Sequence, residues 1–109
     1  DMKVGIIRCQ QTEDLCPGTG DFAAVEKKSG AFETLGDCTI VGFVSCGGCP
    51  GSKAIARAQT LMDRGAQAIA LATCITKGNP NGFPCPNRDS ILQALRKKCK
   101  EVPVLEYTH

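Results

Sequence analysis

The chain has 109 residues, 42% of them apolar, which suits one domain with a real core over 1–109 and leaves little room for a second. Aromatic residues make up only 5%, with no Trp and one Tyr, so a stacking platform for single-stranded nucleic acid is not expected. Thirteen Lys and Arg against eleven Asp and Glu leave a formal charge of +2. The one tight basic cluster, Arg96, Lys97 and Lys98 with Lys100, reads as a solvated helix face rather than a phosphate-binding patch.

Four β-rich runs are spaced along the chain, at 4–8, 39–45, 68–73 and 102–107. The second and third are nearly continuous in apolar residues, as expected of strands covered on both faces. Pro103 is compatible with a strand start or an edge. Helical patterns lie between the runs. From 52 to 64, Ala54, Ile55, Ala58, Leu61 and Met62 form one apolar stripe, and Gly65 supplies a stop. From 88 to 100, Ile91, Leu92, Leu95 and Cys99 trace a similar stripe, with Asn87 as a candidate N-cap. The segment 21–35 is a weaker helix: Asp21 could cap it, and Gly30 breaks it before Phe32 and Leu35. Alternation of strand and helix predicts right-handed crossovers and a four-stranded parallel sheet in a three-layer α/β sandwich, flavodoxin-like or Rossmann-like, with strand order 2-1-3-4.

Eight cysteines stand out against this ordinary background, at 9, 16, 38, 46, 49, 74, 85 and 99. Nothing resembling a secretory leader precedes the first strand, and no apolar run approaches about 18 residues, so no membrane span is expected and a cytoplasmic setting is. There, clustered cysteines bind metal or do thiol chemistry more often than they form structural disulfides.

In a parallel sheet the strand C-terminal ends share one edge, and the loops leaving them form the ligand site. The predicted strands end at Cys9, Cys46, Cys74 and His109, the last being the only His. Each crossover loop also closes on a Cys-Pro step: Cys16-Pro17, Cys49-Pro50 and Cys85-Pro86. Proline suits a helix N-terminus, and a thiolate there meets free N–H groups. Cys38 and Cys99 fall outside the pattern and read as small buried hydrophobes. Arg8, Ser45, Thr73 and Thr108 each precede a strand-end candidate; by alternation they point away from it and serve as support.

Cys46-Gly47-Gly48-Cys49 is a C-x-x-C on a strand-to-helix turn, with glycines that allow both sulfurs to face one ion. With Cys9 and Cys74 it offers four sulfurs, enough for a closed tetrahedral site. Cys16, Cys85 and His109 are further candidate ligands, for a second metal, a larger cluster or an outer shell. All-sulfur ligation favours zinc or an iron–sulfur cluster over magnesium or calcium. The alternative is a thiol–disulfide oxidoreductase using Cys46 and Cys49. Other chemistries lack their signatures: there is no C-x5-R loop, no G-x-G-x-x-G and no P-loop. Glu13 and Asp14 read as solvated.

The residues Lys3–Cys9, Cys16-Pro17-Gly18, Val41–Gly51, Ala68–Gly78, Gly82–Pro86 and Thr108-His109 together resemble the CGGC-domain family of small prokaryotic proteins. The resemblance spans nearly the whole chain. It implies a zinc-like or other metal-binding role resting on cysteines and histidines, and it implies no particular reaction or protein partner.

Overall fold

A computed structural model describes residues 1–78, 82 and 84–109. Strand β1, Met2–Arg8, carries the fully buried Val4, Ile6 and Ile7. Helix α1 follows at Thr19–Lys27, then β2 at Cys38–Ser45, α2 at Lys53–Asp63 and β3 at Ala68–Leu71. A single helical turn, α3, spans Thr73–Thr76; α4 spans Arg88–Lys98, and β4 is the pair Val104–Leu105. The four strands pair in parallel in the order β2-β1-β3-β4, as the alternating pattern predicts.

Every residue of β3 is buried, because helices cover both faces of the central strands. Leu61 of α2 packs directly on Gly5 and Gly42 of neighbouring strands. A Cβ on Gly5 would lie 2.8 Å from a Leu61 methyl, so the glycines let the helix approach the sheet. On the other face, Phe22 of α1 stacks on Phe43 of β2 with ring centroids 5.2 Å apart. The result is a three-layer α/β architecture. Phe32, Ile69, Leu71 and Leu95 are also completely buried in its core. Each such side chain contributes about 1.5–3 kcal/mol by leaving water.

Several local expectations are corrected. The third strand stops at Leu71, and the chain turns into α3, so Cys74 sits on a helical turn rather than at a strand end. The turn forms because the Ala72 carbonyl accepts the Ile75 N–H at 2.9 Å, while Thr73 is tied to Thr108. The fourth strand shrinks to two residues. Pro103 has no N–H to give, and only its carbonyl joins the ladder, accepting from Ile69 at 3.0 Å. Helix α1 starts two residues before Asp21, which is therefore inside the first turn and buried rather than capping it. That helix ends where Lys28 adopts a left-handed conformation, and Phe32 is carried by a separate 3-10 turn, Gly30–Phe32. Asn87 does precede α4, but its side chain makes no capping bond; its carbonyl accepts from Ile91 N–H instead. Helix α4 stops at Lys98, with Cys99 next to it and buried. Lys97 and Lys98 are exposed beside Arg96, as a solvated face requires.

Candidate metal centre

The backbone of Cys46 continues the β1–β2 ladder, its N–H donating to the Arg8 carbonyl at 2.7 Å. This fixes the start of the CGGC turn beside the end of β1, where Cys9 lies. Gly47 and Gly48 both take positive φ, +83° and +100°, a backbone that side-chain-bearing residues rarely adopt. The turn brings Cys49 back over the same edge. Cys85 is brought in from the loop before α4, its N–H donating to the Ile75 carbonyl at 2.7 Å.

Cys9, Cys46, Cys49 and Cys85 line one cavity of about 10 Å³, with Ile75 and Ile91 among its apolar walls. That volume is close to the room one water molecule needs. Among the described residues, no Lys, Arg, Asp, Glu or His lines it. Cys74 stands next to this group: the Cys9 N–H donates to the Cys74 sulfur at 3.2 Å. The Cys85 sulfur accepts the Asn87 N–H at 3.4 Å. Such N–H groups stabilise negative sulfur, as outer-shell partners of bound thiolates do.

Burial pushes the Cys9 thiol above its ordinary pKa, and nearby Cys46, Cys74 and Cys85 add to the rise. The Gln11 backbone N–H opposes it. Burial also raises the Cys38 and Cys99 thiols, which pack against or within the core as small hydrophobes. All eight cysteines are free thiols.

Cys16 and His109 are not on the cavity wall. Cys16 is half-buried; its N–H donates to the Thr12 carbonyl at 2.8 Å and its own carbonyl accepts from Arg8 at 2.5 Å. The His109 backbone docks on Thr73, but its imidazole turns to Asp21, with Nε2 3.7 Å from Oδ1. The supporting roles of the four residues before the strand ends are visible. Arg8 holds Cys16 and lies over Phe43, and Ser45 accepts from Arg57 at 2.9 Å. Thr73 and Thr108 bond to each other at 3.1 Å, and the Thr108 hydroxyl donates to Asp21. Sequence reasoning missed that last link, because Asp21 and Thr108 lie 87 residues apart and share no local motif.

A thiophilic ion fits the donors here by chemistry: four cysteines line one cavity, a fifth adjoins it, and among the described residues no carboxylate joins Gln11 and Asn87 on the wall. As placed, however, no three His, Cys, Asp or Glu side chains among the described residues stand close enough to hold an ion together.

The CGGC domain family matches residues 3–109, nearly the full length. The chain belongs to the CGGC domain family. An uncharacterized protein of Methanocaldococcus jannaschii is 40% identical over 116 aligned residues, covering 99% of this chain and 87% of its own length. No solved structure matches this CGGC domain. Among its described residues, no helix is long and apolar enough to cross a membrane.

Proposed function

We propose that this CGGC domain binds one thiophilic metal ion, zinc in the first instance, at the C-terminal edge of its sheet. Cys9, Cys46, Cys49 and Cys85 are the inner donors in this reading. Cys74 backs Cys9 and can exchange with it as a donor, while Cys16 and His109 act from outside the cavity. The observation that carries the reading is the convergence of four thiols, from three separate loops, on a cavity of about 10 Å³ without a charged side chain. Zinc is put first because sulfur donors suit it and four of them complete its closed tetrahedral shell. Bound zinc would hold the thiols as thiolates and cross-link the three loops. A reducing, cytoplasmic setting, which keeps such thiols free, belongs to the same proposal.

The thiol–disulfide alternative is less well supported. Cys46 is buried and Cys49 is the exposed member, whereas an oxidoreductase of this type attacks through an exposed first cysteine. Further thiols on the same wall would also compete for pairing.

Anaerobic purification, followed by metal and sulfide analysis and a visible spectrum, tests the proposal. A colourless protein with one zinc per chain is expected. Brown protein with iron and labile sulfide would replace zinc with a cluster, and a metal-free protein that takes up neither would overturn the reading.

A further inference from the structure

A second cavity opens at the same edge of the sheet, where α3 and the start of α4 meet the end of β4. Ile75 lines the thiol cavity, whereas its neighbour Thr76 lines this one, beside Lys77, Arg88 and Asp89. Glu106 and Tyr107, which follow β4, line it too, with Leu92 of α4. The volume is about 320 Å³, which falls in the range of small-molecule sites. The strand ends of a parallel sheet are where such sites form.

Two observations mark the cavity as a place for a ligand. Thr76 is 8% exposed, and its hydroxyl is a buried side-chain oxygen with no hydrogen-bond partner among the described residues. An unpaired buried hydroxyl is destabilising, and a ligand in the cavity that Thr76 lines would pair it. The charges supply the second observation. Arg88 is engaged by the protein: it donates to the Thr76 carbonyl at 2.8 Å and lies 3.5 Å from Asp89. Glu106 is met by Arg96 at 2.8 Å. Lys77 has no carboxylate partner among the described residues, and its ammonium is held 4.0 Å over the Tyr107 ring.

We propose that this cavity binds a small monocarboxylate. The carboxylate lies between the Lys77 ammonium and the Thr76 hydroxyl, both donating to it, and the apolar body lies against Leu92 and the Tyr107 ring. The surrounding charges set the charge of the ligand. Lys77, Arg88 and Arg96 stand against Asp89 and Glu106, a surplus of one positive charge. A carboxylate neutralises that surplus. A phosphate dianion overshoots it and faces Asp89 and Glu106, and an amine is repelled by Lys77. The site is separate from the thiols and stands whether or not they bind metal.

Tyr107 is the only Tyr and the chain has no Trp, so its emission reports on this cavity without a label. Butyrate, butyramide, butylamine and inorganic phosphate are titrated into the 109-residue chain, with ligand NMR lines as a second readout. Butyrate is expected to saturate in about the millimolar range and to bind about tenfold more tightly than the other three. Lys77→Gln should weaken butyrate by about fivefold at low salt, and by less as salt rises. Thr76→Val keeps the shape and removes the hydroxyl. It should weaken butyrate by about tenfold while melting no lower than the parent, because the hydroxyl it removes was unpaired. A lower melting temperature with unchanged binding would make Thr76 structural and overturn the proposal. So would the absence of saturable butyrate binding, equal binding of any of the other three, or butyrate binding unchanged by Lys77→Gln.

Discussion

Two polar clusters occupy the same end of the sheet, and they are built on opposite principles. One joins Asp21, Thr73 and Thr108: all three are buried, and each hydroxyl and the carboxylate has a hydrogen-bond partner within the group. The other is the thiol group in and beside the cavity, whose sulfurs at Cys9, Cys74 and Cys85 are met by backbone N–H groups alone among the described residues. Buried oxygen is costly to leave unpaired, so the first cluster is closed and saturated. A thiol is a weak donor and acceptor, and it can stay buried without such partners. The hydroxyls of the first cluster are engaged with one another, with the His109 carbonyl and with the Asp21 carboxylate. The thiol cluster keeps its donor capacity in reserve. The first therefore reads as the anchor that pins the Thr108-His109 end of the chain to α3, and the second as the site.

The comparison breaks most sharply if the thiols prove structural. Replacing Cys46 and Cys9 together by Ala should lower zinc affinity by at least about 100-fold, the scale of losing ligands from a metal site. The same double variant should leave the melting temperature of the metal-free protein within a few degrees of wild type. Zinc titration against a chromophoric chelator, paired with calorimetry, reads both. A metal-free variant that no longer folds would erase the distinction between the clusters.

The converse variant, Asp21→Ala, strands the buried Thr108 hydroxyl and should cost roughly 2 kcal/mol of stability, or about 8–15 °C in melting temperature for a chain of this size. The loss should be the same with and without zinc. A zinc-dependent loss would show that the anchor also serves the site. His109→Ala sharpens the same line at smaller scale. The imidazole is 42% exposed and lies 3.7 Å from Asp21, so its removal should change stability by less than about 0.5 kcal/mol. It should not alter zinc stoichiometry.

The smallest effect is one of pH. Burial raises the Cys9 and Cys99 thiols in the folded chain. Their contribution to stability is then fully present below the ordinary thiol pKa and is lost as pH rises through the raised folded values. Chemical denaturation of the metal-free protein across the alkaline range should show this decline, and Cys99→Ala should blunt it. Zinc should remove the Cys9 share, since a bound thiolate no longer titrates there.

The strand order and the gathering of cysteines at one edge were legible because both follow from local signals. Runs such as 4–8 and 68–73 give strands, alternation with helices gives parallel pairing, and loops leaving strand ends must share an edge. What was not legible depends on contacts distant in sequence. Cys74 leaves its strand because Thr73 bonds to Thr108, 35 residues on. His109 turns to Asp21 rather than to the thiols, and Asp21 ceases to be a cap, through one cluster that spans nearly the whole chain. Cys16 stays off the cavity wall while Arg8, whose side chain faces away from Cys9, holds its carbonyl. For Cys74, His109 and Asp21 a local motif was outvoted by contacts that no short window of sequence contains, whereas Arg8 and Cys16 are tied within one loop.

The central claim is that the thiol cavity, and not the oxygen cluster beside it, holds one metal ion. Native mass spectrometry of the reduced chain titrated with zinc tests this most directly. The account predicts one zinc per chain, with a mass showing loss of thiol protons on binding, and no zinc in the Cys9→Ala, Cys46→Ala chain at the same concentration. A double variant that binds zinc as the parent does would contradict it.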